Sequence, residues 1–279
     1  MTLLEVLQSS TDYFKKRAIE NPRLNAEHLL AHVLGRKRLE LYLEFERNLS
    51  EAELTPVRDL VRRRGQGEPL QHLLGTVEFC GQTFMCDKRA MVPRPETEEL
   101  VELVVQSTLS HQPSTIVDIG TGSGVIALSL AKKFPGASVH AVDISEEALQ
   151  LARENTDRLG LTGRVQFREN NLLENFVERF DLIVANLPYV ALSEKSSLSR
   201  EVMHDPEVAL FGGQTGDELI RQLIEQAGSH LQPEGFLALE LGIGQAEPIS
   251  AYLSQKKYKD IESKNDYSGR ARFVFARYG

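Results

Sequence analysis

Along the first 75 positions the apolar residues recur at helical spacing. Leu3, Leu4 and Leu7 form one stripe, and Leu29, Leu30, Val33 and Leu34 form another that Gly35 stops. Ser50 and Glu53 have the spacing of a capping box, and Gly65 is expected to end the helix they open. Leu70, Leu73 and Leu74 make a short amphipathic turn before Gly75. A small helical bundle is therefore predicted over residues 1–75. From 76 to 90 the apolar positions alternate around Gly81, with Val77, Phe79, Phe84 and Cys86. That period predicts a β-hairpin between two domains. Residues 91–97 are a Pro-punctuated linker, and Thr97 is expected to cap a helix through Leu100, Leu103 and Val104.

Beyond residue 114 the pattern becomes strand, helix, strand. Strands are predicted at 115–119, 138–142, 165–167, 181–185 and 235–241, with helices opening at Val125, Glu146 and Leu219. The last two strands, near 259–261 and 272–276, are joined by a short polar loop that suits an antiparallel pair. The predicted fold is α/β: a doubly wound, mostly parallel seven-stranded sheet behind an N-terminal helical bundle. The expected divisions are 1–75, 76–94 and 95–279.

Composition narrows the partners. The net charge is −8, with 14 Lys/Arg against 13 Asp/Glu over residues 1–90 and 18 against 27 beyond them. The predicted sheet domain thus lacks the basic surplus that phosphate-based nucleic-acid binding requires. No apolar run approaches the ~18 residues of a membrane span. The first 30 residues lack a signal-peptide pattern. Two cysteines, Cys80 and Cys86, are too few for a disulfide framework. A cytoplasmic protein is expected. His28 and His32 are four apart on one helix face, but no third ligand is near in sequence, so ordinary packing is the reading.

Two loops carry candidate chemistry. The first is Asp118-Ile-Gly120-Thr121-Gly122-Ser123-Gly124, between a strand and a helix. Glycines there let the main chain approach a ligand closely. The third Gly comes one position too early for a nicotinamide fingerprint, and no Gly-Lys-Ser/Thr follows for a P-loop. Asp143, 19 residues after Gly124, ends the next strand, where a carboxylate can accept both hydroxyls of a ribose. The second loop is Asn186-Leu187-Pro188-Tyr189, directly after the apolar strand 181–185. The Asn186 oxygen and the Leu187 carbonyl can accept both N–H bonds of a planar –NH2 group. The Tyr189 ring can lie against such a group, and Pro188 holds Leu187 extended.

The first loop resembles motif I of class I S-adenosylmethionine-dependent methyltransferases. The second is similar to their Asn-Pro-Pro-Tyr motif, with Leu187 in place of the first Pro. This resemblance implies S-adenosylmethionine as methyl donor and S-adenosylhomocysteine as product. It also implies adenine contacts at Asn171 and Leu172 and a place for Asn186 between cofactor and acceptor. Three acceptors use this chemistry: adenine in DNA, adenine in RNA, and a protein glutamine amide. Residues 67–79, Gly81 with Phe84, 92–98, Asp205-Pro206, 209–213 and Gly216 together resemble the release factor glutamine methyltransferase family. The resemblance implies methylation of the glutamine in the Gly-Gly-Gln motif of class-1 peptide chain release factors, docked in part by the N-terminal helices. A monomer is expected, with adenine methylation of nucleic acid as the alternative. Gly212-Gly213-Gln214 is read as a turn beside the pocket, and residues 193–207 as a lid over the acceptor.

Overall fold

The computed structural model describes residues 1–109 and 112–279. The chain divides into two units, Met1–Thr76 with Ser199–His204, and Val77–Leu198 with Asp205–Gly279.

The smaller unit is helical: α1 (Leu3–Lys16), α2 (Pro22–Leu34), α3 (Glu51–Gly65) and α4 (Leu70–Leu74). The Glu53 carboxylate accepts from the Ser50 N–H at 2.9 Å, so the expected cap forms. Leu3, Leu7, Phe14, Leu29, Leu30 and Val57 fill one core. Arg64 is buried beside it. It donates to Asn25 Oδ1 (2.7 Å), the Glu68 carbonyl (3.0 Å) and Glu201 Oε2 (2.6 Å), which ties residues 199–204 to the helices. Burial lowers the pKa of His28.

The larger unit begins with β1 (Thr76–Phe79) and β2 (Gln82–Met85), a two-stranded sheet whose last three β1 residues and whole second strand belong to this unit. Phe79 and Phe84 meet edge to face at 6.0 Å and pack with Leu100 and Val104 of α5 (Pro95–Ser107). There follow β3 (Thr115–Ile119), α6 (Val125–Lys133), β4 (Ser138–Asp143), α7 (Glu146–Arg158), β5 (Val165–Glu169) and β6 (Phe180–Asn186). Then come β7 (Val190–Ala191), β8 (Phe211–Gly213), α8 (Glu218–His230), β9 (Leu231–Glu240), α9 (Ala246–Ser254), β10 (Tyr258–Asn265) and β11 (Ala271–Tyr278).

Seven strands form the main sheet in the order β10-β11-β9-β6-β3-β4-β5. The five from β9 to β5 are parallel, while β11 and β10 are antiparallel, as the short terminal loop requires. Successive residues of a strand face opposite sides. Val117, Ile119, Ile183 and Ala185 accordingly pack with α8 and α9, and Ile116, Leu182 and Val184 with α5 and α6. The strand order reverses between β3 and β6, which are register partners at Ile119 and Ala185. Loops leaving such a point diverge and open a crevice at the carboxyl ends of the strands. Both candidate loops leave the sheet there.

One predicted boundary shifts. Thr97 is not the cap of α5. Arg94 holds that place and Pro95 takes the first helical position, where its missing N–H and fixed φ cost nothing. Thr97 lies inside the first turn with its hydroxyl directed to the sheet.

Candidate active site

The glycine loop is fastened to its neighbouring strand through the main chain. The N–H groups of Gly120 and Thr121 both donate to the Val142 carbonyl, at 2.8 and 2.9 Å. Gly120, Gly122 and Gly124 all have positive φ (72°, 56° and 84°), which a side chain would strain. Below the loop Asp118 is fully buried. Its Oδ2 accepts from the Thr121 hydroxyl (2.6 Å) and the Ala127 N–H (3.1 Å), and burial pushes its pKa up to about 7. Asp143 reaches back from β4. Its Oδ2 accepts from the Gly122 N–H at 2.8 Å and its Oδ1 from the Ser145 N–H at 2.9 Å.

The glycine loop, Val142 and Asp143 wall a cavity of about 280 Å³ with Ile144, Asn170, Asn171, Leu172, Asn186, Leu187 and Pro188. An adenosyl ligand needs an acceptor for a diol, an apolar slot for a base, and a close main chain. Each oxygen of Asp143 has used one lone pair and keeps another. Ile144 is 54% exposed, an unusual state for an isoleucine, and it lines the same wall. The donor and acceptor set fits S-adenosylmethionine. Asn171 lines the cavity but spends its amide N–H on Glu174 Oε1 at 2.6 Å. Leu172, at φ 49°, is nearly buried and joins the core.

Asn186 ends β6 beside Glu240 of β9. Its Nδ2 donates to Thr97 Oγ1 at 3.0 Å, and that hydroxyl donates to Glu240 Oε2 at 2.8 Å. Asn186 Oδ1 is buried and has no partner, although the residue lines the cavity. A buried acceptor without a hydrogen bond is costly, and calls for a ligand or a functional reason. Leu187 is buried, and its side chain would lie 3.0 Å from a Cβ placed on Gly120, so the two loops meet without space between them.

Tyr189 has other neighbours than the sequence suggests. It is not part of the cavity wall. Its hydroxyl accepts from Arg272 Nη2 at 3.1 Å, and the guanidinium lies 5.2 Å above its ring, a cation–π arrangement that holds the ring toward β11. The main chain around Pro188 and Tyr189 is braced by β7 and β8. A Cβ on Gly212 would stand 2.3 Å from the Pro188 carbonyl oxygen, and one on Gly216 would stand 2.4 Å from that of Tyr189. Gly212 and Gly216 are there because two backbones touch. Gln214 is exposed and outside the cavity wall.

Residues 193–207 contain 3-10 turns, and Asp205 anchors their far end by accepting from the Val92 N–H (3.1 Å) and Arg94 Nη2 (2.7 Å). Pro206, Val208 and Ala209 then line the cavity. Sequence reading passed over Val208, Ile144, Asn170, Glu240 and Arg272, and took Thr97 only as a helix cap. For Glu240 a signal existed, an acid inside the apolar run 235–241. For Arg272 and Thr97 the partners are too distant in sequence to leave one. No helix among the described residues is long and apolar enough to cross a membrane, and no cluster of three or more metal-ligating side chains occurs among them.

Comparison with known proteins agrees with this geometry. The family model for the PrmC N-terminal domain matches residues 5–75, and that for the methyltransferase small domain matches residues 97–254. A Geobacter sulfurreducens protein named release factor glutamine methyltransferase is 39% identical over 280 residues, spanning 100% of this chain and 97% of that one. A Rhodopirellula baltica protein of the same name is 39% identical over 282 residues, spanning 98% and 95%. Among solved structures, a ribosomal protein L11 methylase from Lactobacillus delbrueckii subsp. bulgaricus superposes with a TM-score of 0.52 at 26% identity, over 68% of this chain and 82% of that one. With a doubly wound sheet, a glycine loop facing an acid, and full-length relatives of one name, the chain belongs to the release factor glutamine methyltransferase family.

Proposed function

We propose that this chain methylates the side-chain amide nitrogen (N5) of the glutamine in the Gly-Gly-Gln motif of class-1 peptide chain release factors. The observation that carries the reading is the Asn186 amide: its Nδ2 is consumed by Thr97 while its buried Oδ1 is left without a partner in the cavity wall. S-adenosylmethionine, when bound, supplies a methyl carbon on a positively charged sulfur. Gly120, Thr121, Gly122, Ser123 and Gly124 would hold its polar part, Asp143 would take the ribose hydroxyls, and Asn171 and Leu172 would border the adenine.

An amide nitrogen is a weak nucleophile because its lone pair is delocalised into the carbonyl. Asn186 Oδ1 and the Leu187 carbonyl accept its two N–H bonds, favour a pyramidal nitrogen, and aim the lone pair at the methyl carbon. Positioning and preorganised dipoles do this work without a strong base. Pro188 keeps Leu187 extended. Tyr189, held by Arg272, fixes the far side of the loop and borders the acceptor once the substrate glutamine enters. With the donor bound, the N–C bond would form as the C–S bond breaks and one amide proton would leave to water, and a dry cavity would favour the loss of charge at sulfur. Residues 1–75 are the docking domain for the release factor, 76–94 the connection, and 95–279 the methyltransferase domain. The protein works as a cytoplasmic monomer without binding nucleic acid, and residues 193–207 close over the acceptor.

The test is transfer of label from S-adenosylmethionine to a class-1 release factor, to its variant with alanine at the motif glutamine, and to total RNA and DNA. Label in the unaltered release factor alone is expected. Label in nucleic acid instead would overturn the reading. Equal hydrogen exchange of 193–207 with and without the release factor would refute the lid.

A further inference from the structure

A carboxamide can present either its oxygen or its NH2 group to a cavity, because the two ends have nearly the same shape. Only the oxygen can accept from an acceptor substrate's N–H. Something must select it. We propose that Thr97 and Glu240 are positioning residues whose hydrogen-bond relay fixes the polarity of the Asn186 amide, so that Oδ1 and not Nδ2 meets the methyl acceptor. The inference rests on the reading of Asn186 as the acceptor clamp, but its structural half stands without any substrate.

The Thr97 hydroxyl has one hydrogen to give. The Glu240 carboxylate is an acceptor only and takes that hydrogen at 2.8 Å. Thr97 Oγ1 is then left with lone pairs alone, so its second partner, 3.0 Å away, must be a donor. That partner is Nδ2 of Asn186, and Oδ1 is left for the cavity. Glu240 is only 1% exposed, so water offers no competing hydrogen bond. Asn186 and Glu240 are register partners on adjacent strands, and Thr97 sits on α5 above them. The relay thus joins three elements of rigid structure.

The relay has a direction that protons can reverse. Glu96 and Thr97 from α5, Asn186 from β6 and Arg272 from β11 act on the Glu240 carboxyl. Arg272 is the only cation among them, and its Nη2 is 3.5 Å from Oε1. Burial is the dominant influence and, with the charge of Glu96, pushes Glu240 up to about 7 against the pull of Thr97, of Arg272 and of the Asn186 amide, which also reaches the carboxylate. A protonated Glu240 becomes a donor to Thr97. The Thr97 hydroxyl then turns its hydrogen to Asn186, the amide rotates, and NH2 meets NH2 in the cavity. Activity therefore falls as pH drops through the Glu240 pKa and is full above it.

The experiment uses the full chain with Thr97→Val, Thr97→Ser and Glu240→Gln. The first readout is hydrogen exchange of the Asn186 side-chain amide by NMR in the free protein, assigned with Asn186→Asp. Thr97→Val is expected to lower protection about tenfold or more, and Thr97→Ser to keep it within about threefold, because only the hydroxyl matters. The second is steady-state kinetics on the release factor. Thr97→Val should lower kcat about 10- to 100-fold with the KM for S-adenosylmethionine within about threefold, and Thr97→Ser should restore most of it. Glu240→Gln cannot titrate, and its amide turns its oxygen to Arg272 and its NH2 to Thr97, so kcat should be low at every pH and the acid limb should disappear. Unchanged amide protection or unchanged kcat in Thr97→Val would overturn the relay. An acid limb that persists in Glu240→Gln would overturn the proton switch. Intact protection in a protein that never labels the release factor upholds the relay and refutes the proposed function.

Discussion

The glycine loop brings consecutive residues to the cavity, two of them glycines without a side chain, joined by one acid 19 positions after Gly124. In the acceptor loop the decisive atom is a side-chain oxygen, and its orientation depends on Thr97 and Glu240, 89 residues before and 54 after Asn186. The two loops leave adjacent strands at one switch point, yet they fail in different ways. A main-chain cradle is set by φ angles and survives many side-chain changes. Damage to it is felt as lost cofactor affinity. A clamp held by long-range side-chain contacts can keep its affinity for cofactor while losing the rate.

The sharpest test of that contrast is Asn186→Ala. It should lower kcat by ~10²-fold or more, with cofactor affinity by calorimetry within a few fold. Equal loss of both would merge the two loops into one functional unit. Next is Gly212→Ala. A Cβ there meets the carbonyl oxygens of Pro188 and Gly216 at 2.3 Å, so the acceptor loop must move. Expected are a roughly tenfold lower kcat and about 1–3 kcal/mol of lost stability in denaturant melts, the usual range for overpacking. Asp143→Asn probes the other side. It retains shape but gives up a charged acceptor, which should weaken S-adenosylmethionine binding by about 10-fold while kcat at saturation stays within about threefold. The smallest effect belongs to Gln214→Ala, within about twofold in every constant, because the exposed side chain lies outside the cavity wall. A large loss there would revive Gln214 as a functional group.

Much of the architecture was legible in the sequence. Buried parallel strands are unbroken apolar runs, and 181–185 in β6 could hardly be anything else. Glycine loop and acid were legible too, because their chemistry is local or separated by one βαβ step. Thr97 was misread for a physical reason. Capping propensity favours Thr, but Pro95 at the first helical position fixes the start of the helix three residues earlier. What holds the Tyr189 ring was not legible, because the cation that does so comes from β11, 83 residues away.

The order of hydrophobic periods determined a helical bundle followed by a doubly wound sheet, and the glycines determined where a main chain can approach a ligand. Those properties depend on neighbours within a helix turn or a strand, so one sequence suffices to read them. Which end of the Asn186 amide faces the cavity was decided only by tertiary structure. That choice needs a hydroxyl from a helix and a buried carboxylate from a neighbouring strand, and only folding brings all three into hydrogen-bond reach.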